Sequence, residues 1–579
     1  MLEKIPAALK WLLDPEPVRE GNGQGAHLWV RWIFLRAFGL IYFSAFLPLL
    51  YEIRGMLGPN GILPAVDYLQ AVAAAMHGSR FWFAPTLLWL GSSNRALTLL
   101  CWIGVVASIL VVLNVFPRLS LLVCFICFLS FVSVAQEFAS FQSDGMLLEA
   151  GFIALFFAPD GLRPGLGAAS PPSRASLYLL RWEWFRIYFE SGVVKIASGD
   201  RSWRQFTAMD DYYQNGPLPT WIGWYVQHFP HWFHASCSFF ALFAELILVW
   251  MLFLPRRLRI LCFCILTPFQ IVIILTANYT FLNYLVLLLG VLLLDDRTVE
   301  WVLPQTVRQW LSGSSQLSRH AASAAETSPD PVDAPSSFAG HGFSHDKKDV
   351  AQRLPSSPES GDASAPFGHS SSMSPFTLAV RRLVAVAALG MVFYVTTAEL
   401  LWMFFPALPL PDSPVRALEP SRIANRYGLF AVMTHERYEI EFQGTTDGTN
   451  WTPYPFRFKP QALDKAPGIY APYQPRFEWC LWFASLDNWR GNRWVVWTEE
   501  RLLKNDPDVL KLFASNPFAS APPARVRAVL YQYWFTDLKT KHDTGNWWRR
   551  EFLGEYAPTL ERTPDGKVLM LDTSTADLQ

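Results

Sequence analysis

Four ionisable residues, Glu183, Arg186, Glu190 and Lys195, stand inside or at the edge of the apolar, helix-length run RWEWFRIYFESGVVKIASGD, Arg181 to Asp200. A charge at membrane depth costs from about 2.5 kcal/mol upward unless it is paired or wetted, so such a helix turns these residues toward a polar interior. Glu183, Arg186 and Glu190 fall at i, i+3 and i+7, on one face where they can neutralise one another. A structural ion-pair ladder joining helices accounts for that spacing as well as a working site does. Lys195, at the outer end of the run after Val193 and Val194, is the sharpest catalytic candidate. Partial burial there would favour the free amine that general-base work needs, with Glu190 or Asp200 tuning it. The competing account is a structural lysine whose long stem lets the ammonium reach the interface.

Other polar positions gather on the same side of the apolar segments: Gln142, Asp144 and Glu149 in FQSDGMLLEAGF, and Asp210, Asp211 and His228 in the loop after the charged run. Asp144 and Glu149 are candidates for a functional carboxylate pair, but five residues apart they need not face each other, and a helix-capping Asp144 is the simpler account. Several chemistries are excluded. The chain has no phosphate-cradling Gly-rich loop, no HExxH and no nucleophile elbow, so it is not expected to be a lipase itself. Cys124-Phe-Ile-Cys127 and Cys262-Phe-Cys264 lie in apolar runs and read as packed small residues; only Cys480 sits in a polar region. No disulfide framework follows. His320, His341, His345 and His369 lack ligand spacing, so no metal site is expected.

The elements that must position these residues are membrane helices. Of 579 residues, 51% are hydrophobic and only 17% charged, well beyond the apolar share of a soluble domain. The 25 Trp and 19 Tyr suit two interfacial belts. The 48 basic residues balance 48 acidic ones, which gives no electrostatic case for nucleic acid as a partner. Candidate spans lie near 28 to 50, 95 to 115, 117 to 135, 144 to 158, 175 to 195, 234 to 254, 258 to 276, 280 to 295 and 376 to 405, about nine in all. The segment 144 to 158 is short for a bilayer that needs about 20 helical residues, so it is expected to be tilted, re-entrant or buried. Ile62 to Met76 and Trp203 to Tyr213 read as amphipathic surface helices, and Trp221 to His234 as an interfacial aromatic segment.

The first 27 residues carry Lys4, Lys10 and Arg19 and lack a signal-peptide core. With Arg118, Arg163, Arg174, Arg256, Arg257, Arg259, Arg381 and Arg382 they fall on one side of the span series. The positive-inside rule then places residues 1–27 in the cytoplasm and the carboxy-terminal region outside. Between a multi-span domain at 28–302 and a last span at 376–405, residues 303–375 turn Ser-, Ala-, Pro- and Gly-rich, the composition of a disordered cytoplasmic linker. Residues 406–579 form a separate extracytoplasmic, β-rich domain. Arg437 to Gln443 alternates with period two, Gly444 to Asn450 is turn chemistry, and Trp451 to Phe458 alternates again. Val526 to Phe535 supplies another strand and Trp497 to Ala514 a helix. The expected fold is a polytopic α-helical membrane bundle with a carboxy-terminal α+β or β-sandwich-like extramembrane domain.

The runs FLRAFGLIYFSAFLPLL, GMLGPNGILPA, FQSDGMLLEAGFIALFFAP, SGVVKIASGDRSWRQFTAMDDYYQNGPLPTW, NRYGLFAVMTHERYEIEFQGTTDGTNWTPYPFRFKP and APYQPRFEWCLWFASL, in this order, resemble the lipase maturation factor family over nearly the whole chain outside 303–375. That resemblance implies an integral membrane protein whose animal members sit in the endoplasmic reticulum and help secreted lipases reach an active, assembled state. In the family the carboxy-terminal domain faces the lumen and engages the client. Tyr438, Trp451, Tyr473, Arg476, Trp479 and Trp482 are then candidates for a client-binding surface, being of the residue types that interfaces favour, although sheet core would use the same residues. A local likeness of SGVVKIASGDRSW to vitamin K-dependent gamma-carboxylase-type membrane proteins would make Lys195 a catalytic base beside a bound quinone.

The sequence is therefore read as a maturation factor or chaperone for exported proteins, a secreted lipase first among the clients, working by binding rather than bond chemistry and with membrane lipids around it. No cofactor is expected on that reading. The alternatives are a quinone- or lipid-dependent membrane enzyme using Lys195, and a non-catalytic scaffold or receptor. Asn278-Tyr-Thr280 and Asn450-Trp-Thr452 match the glycosylation sequon. The lone outer Cys480 and the lack of a retrieval tail favour a bacterial inner membrane, with the endoplasmic reticulum membrane as the alternative.

Overall fold

A computed structural model describes residues 27–139, 141–302 and 375–571, together with 304 and 306. The segment expected at 1–27, His27 apart, and nearly all of the linker expected at 303–375 lie outside the described residues. In chain order the helices that matter here are α1 (Leu28–Leu57), α2 (Ala65–Met76), α3 (Asn94–Val112), α4 (Pro117–Val132), α5 (Gln142–Phe157), α6 (Arg174–Ala197), α7 (Trp221–Gln227), α8 (His231–Leu246), α9 (Arg256–Thr276), α10 (Leu282–Val291) and α11 (Pro375–Phe404).

Each candidate span carries a helix, but by length and composition five can cross a membrane unaided: α1, α3, α8 with its continuation to Phe253, α9, and α11 from Ala379. The count of about nine is therefore not established by the helices. α4 and α10 are apolar but short, and α6 is long but charged. α5 is buried along nearly all its length, so the short segment is a central helix of the bundle, which explains how it can carry Asp144 and Glu149.

Local chemistry sets the helix ends. Ser93, Ser173 and Thr220 accept the first free amides of α3, α6 and α7, and Pro117 opens α4, as the unpaired N–H groups of a first turn require. The first amides of α1 are met from far away, by the Asp296 carboxylate, at 2.6 Å to Leu28 and 2.9 Å to Trp29. The two ends of the bundle differ in chemistry. At the end where α1 and α6 begin, Arg118 and Arg381 share Asp160 at 2.5 and 2.9 Å, and Arg256 pairs with Asp295. At the other end the carboxy-terminal domain docks.

That domain is built on an antiparallel sheet of β1 (Arg437–Thr445), β2 (Thr452–Pro453), β3 (Arg525–Phe535), β4 (Trp548–Glu555), β5 (Leu560–Arg562) and β6 (Val568–Met570), in the order β2-β1-β3-β5-β6 with β4 also on β3. Register pairs Phe442 with Ala528 and Arg437 with Tyr533. Ile440, Phe442, Val526 and Ala528 point into a core closed by α12 (Arg476–Ala484) and α13 (Trp494–Leu503). Tyr533, Phe535 and Trp548 pack instead on Trp224 of α7.

Three expectations need correction. The second arm of the hairpin is only Thr452–Pro453 rather than Trp451 to Phe458; Pro453 and Pro455 lack the ladder N–H. The helix expected over Trp497 to Ala514 stops at Leu503, and Asp506 caps a new turn from Pro507. Trp203 to Tyr213 contributes only the ends of two short turns, Arg201–Arg204 and Tyr212–Asn215. Its tryptophan and tyrosines are buried rather than lying on a surface.

Glu499 on α13 is fully buried, with the Ala528 backbone amide turned toward its carboxylate. Burial, reinforced by the charge of Glu555, pushes its carboxyl well above the ordinary carboxylate range. A raised folded-state value means that the native state holds the proton more tightly than the unfolded one. The stability contributed is complete below the unfolded pKa and is lost as pH rises toward the folded one. Glu499→Gln should therefore raise the melting temperature of the solubilised chain near pH 8 and flatten its decline between about pH 5 and pH 8. Unchanged pH dependence in a melting series would refute the assignment.

Candidate functional site

The charged face of α6 seats a strap of irregular backbone. After α11 the chain returns across the docking end of the bundle, where Asn425 to Leu429 lie along α5 and α6 and Phe430 to Thr434 along the segment that follows α6, before β1 begins. Tyr427 is buried at the centre of the strap, and wherever non-helical backbone is buried each unmet amide would cost several kcal/mol. The ionisable side chains supply the partners.

Glu149 Oε2 accepts from the Asn425 amide at 3.0 Å and from the Tyr427 hydroxyl at 2.8 Å. Arg186 Nη1 donates to the Asn425 carbonyl at 2.7 Å, Glu190 Oε2 accepts from the Tyr427 amide at 2.6 Å, and Gln142 Oε1 accepts from the Gly428 amide at 2.9 Å. Ser191 Oγ takes the Leu429 amide at 3.2 Å, Lys195 Nζ donates to the Leu429 carbonyl at 3.1 Å, and Asp200 Oδ2 takes the Met433 amide at 2.8 Å. Arg186 also pairs with Glu149, stands 3.8 Å from Glu190, and lies over the Tyr427 ring. Glu183, fully buried, reaches the Tyr427 hydroxyl at 3.4 Å. One guanidinium thus answers to several carboxylates, and Tyr427 bridges them. Gly145 is required for the approach: a Cβ there would stand 2.7 Å from Asn425 Oδ1.

Lys195 is buried, but its partner is not among the residues expected of it. Both oxygens of Glu245 on α8 accept from Nζ at 2.8 Å, and the Leu429 carbonyl takes the third donor. All three hydrogen-bonding directions of Nζ are thus taken up inside the protein. Neither expected tuner serves it: Glu190 is given to Arg186 and Tyr427, and Asp200 to the amides of Ser202 and Met433. Asp144 is not a cap, since α5 begins at Gln142. It forms a fully buried bidentate pair with Arg476 of α12, at 2.7 and 3.0 Å. Asp144 and Glu149 therefore serve different partners.

Arg476 locks the domain onto the bundle, and others join it. The Phe477 amide meets Glu52 of α1, Arg54 pairs with Asp508 at 2.9 Å, and Asn278 Oδ1 takes the amides of Tyr470 and Ala471. Asn278, spent on these contacts and 2% exposed, is closed as a sequon, whereas Asn450 lies in an exposed turn. Three of the six candidate client-binding residues are withdrawn from the surface by the same docking. Arg476 is fully buried, and Trp479 and Trp482 are buried, Trp479 against Phe141 and Tyr279 of the bundle. Tyr438, Trp451 and Tyr473 stay partly exposed. Cys480, expected in a polar region, is buried against the Glu137 carbonyl; burial pushes its thiol far up, which keeps it protonated. Among the described residues no group of three His, Cys, Asp or Glu is placed to hold a metal ion.

The sequence that builds the bundle, the strap and the docked sheet is matched by relatives along its length. The lipase maturation factor transmembrane domain matches residues 29–301 and the lipase maturation factor C-terminal domain residues 423–558. A Bos taurus protein named lipase maturation factor 1 is 30% identical over 581 residues, covering 95% of this chain and 94% of that protein. The chain belongs to the lipase maturation factor family. Lipase maturation factor 2 of Homo sapiens is 31% identical, over 92% of this chain and 82% of its own length, and that of Gallus gallus 30%, over 92% and 81%. These lipase maturation factors are vertebrate proteins, and the matches support neither a bacterial type nor the carboxylase likeness of SGVVKIASGDRSW. The family's C-terminal domain begins at residue 423, so the strap belongs to it rather than to the bundle. No solved structure matches the chain.

Proposed function

We propose that this chain is a membrane-bound maturation factor for exported lipases or other secreted proteins, and that it holds its sheet domain rigidly on the extracytoplasmic side of the membrane to engage the client. The end-to-end match to lipase maturation factors supports the client class. The basic cluster around Arg118, Arg256 and Arg381, at the end of the bundle away from the sheet, supports the orientation. In a eukaryotic host the membrane would be that of the endoplasmic reticulum, the compartment in which secreted lipases fold, and in a bacterial host the inner membrane.

The surface best suited to a client lies on the sheet rather than on α12. Arg527 lies over the Trp451 ring at 4.1 Å, Arg550 over Tyr531 at 4.3 Å, and Tyr531 packs edge-on to Phe552, which is 52% exposed. Aromatic and arginine side chains held in place by one another lose little freedom on binding and make up most interface hot spots. In a host lacking its own copy, the variant Trp451→Ala, Tyr531→Ala, Phe552→Asp should reach the membrane at wild-type level. Secreted lipase should nonetheless lose about tenfold or more of its specific activity per molecule. Full activity with the triple variant would remove this surface, and full lipase activity without any copy of the gene would remove the client class.

A further inference from the structure

A cavity of about 510 Å³ opens inside the bundle between α6, α8, α9 and α10, of a size that ligand sites commonly have. Its walls are mostly apolar, with Ser191, Thr276 and Asn283 among the lining residues. Its mouth lies between α8 and α9, where lining residues Ser236 and Val272 are exposed beside Phe239 and Ile271 on the outer faces of two spans. That outer face is hydrocarbon in a bilayer, so the natural entrant comes from the membrane.

Two polar features define what fits. Gln270, 7% exposed, donates Nε2 to the Tyr188 hydroxyl at 2.7 Å and leaves Oε1 without a partner. Either way round, the carboxamide and the phenol together leave two donors and at least one acceptor unspent, so a hydroxyl group can both accept from and donate to the pair. At the outer rim, Lys195 and Glu245 cancel each other's charge, so the cavity offers no net charge to a phosphate or a carboxylate. Its outer end is closed by Leu429 and Phe430 of the strap and by Trp203.

We infer that this cavity binds an uncharged lipid with a hydroxyl-bearing head and an apolar tail, the head on the Gln270–Tyr188 pair and the tail toward the bilayer. Monoacylglycerols and isoprenoid hydroquinones share that chemistry. Because Leu429 and Phe430 form one wall, the occupant also packs beneath the strap and supports the seat of the external domain.

The full chain, purified in detergent, is photolysed with a monoacylglycerol bearing a diazirine in its tail, and labelled peptides are mapped. Labelling should fall on α8 and α9. Gln270→Leu, which keeps the volume and removes the head contact, should weaken it roughly fivefold, the value of one net hydrogen bond. Ala241→Phe, which fills the cavity, should abolish it, and if that variant does not fold, Gln270→Leu alone decides. Competition by a hydroquinone or by an unlabelled monoacylglycerol distinguishes the two sources, and either supports the site. Labelling confined to other helices, equal labelling of wild type and Gln270→Leu, or equal competition by an anionic lysophospholipid would overturn it.

Discussion

Arg186→Leu should prevent the folded protein from accumulating. The guanidinium is fully buried, pairs with Glu149, stands 3.8 Å from Glu190 and holds the Asn425 carbonyl. Taking one partner from a buried ion pair typically costs about 3–5 kcal/mol, because the other charge stays in place unpaired. Here Glu149, Glu190 and Glu183 would all lose their cation at once. Against a typical total stability of about 5–15 kcal/mol, that loss removes most of the folded population or forces proton uptake by the carboxylates. Arg186→Lys keeps the charge but not the two-pronged geometry and should fall between the two. The measure is the monodisperse fraction after solubilisation, with its melting temperature. A wild-type yield and melting temperature for Arg186→Leu would show that α6 does not depend on its cation.

The second large effect is at Asp144 and Arg476, 332 residues apart in sequence and both fully buried. Asp144→Ala should cost about 3–5 kcal/mol by leaving the guanidinium unpaired between Phe128 and Phe131. Arg476→Met should cost less, since its thioether stem fills the space and the carboxylate left behind can take a proton. If the pair is what clamps the sheet domain to α5, the double variant will be more stable than the sum of the singles by about 1.5 kcal/mol or more. Thermal unfolding of the four proteins gives the cycle. Strict additivity would mean that the domain is held by its apolar contacts alone.

How much of this was readable in the sequence follows from how local each feature is. The charged face of α6 is local: three residues at helical spacing in an apolar run need no tertiary information. β1 and β3 announced themselves by alternation and β-branched or aromatic content. β4 did not, because WRREFLGE is an exposed outer strand, with no buried side to impose a period. The partners of the charges were invisible for a different reason. Asn425 and Tyr427 lie some two hundred and forty residues beyond Arg186 and Glu190, and they act largely through main-chain groups that any residue carries. Glu245 was within reach. It is an acidic residue in an otherwise apolar span, by the same logic that singled out Glu183, and it is the partner that Lys195 required. Arg476, Trp479 and Trp482 show the limit of residue type as a guide, since the composition of a binding surface and that of an internal docking interface are the same.

The central claim is that the buried charges hold the strap and the external domain in place and do no bond chemistry. Lys195 and Glu245 test it most directly, because both can be removed together. Lys195→Met alone strands a carboxylate and should lower the membrane level of the protein. Lys195→Met with Glu245→Leu replaces the pair by apolar groups of similar size, an exchange that is often neutral or better. In a host lacking the gene, secreted lipase is assayed for activity per molecule with wild type or the double variant restored at equal membrane level. The account predicts equal rescue by the two. A double variant that is folded, present at wild-type level and unable to restore lipase activity would contradict it and make Lys195 a chemical group.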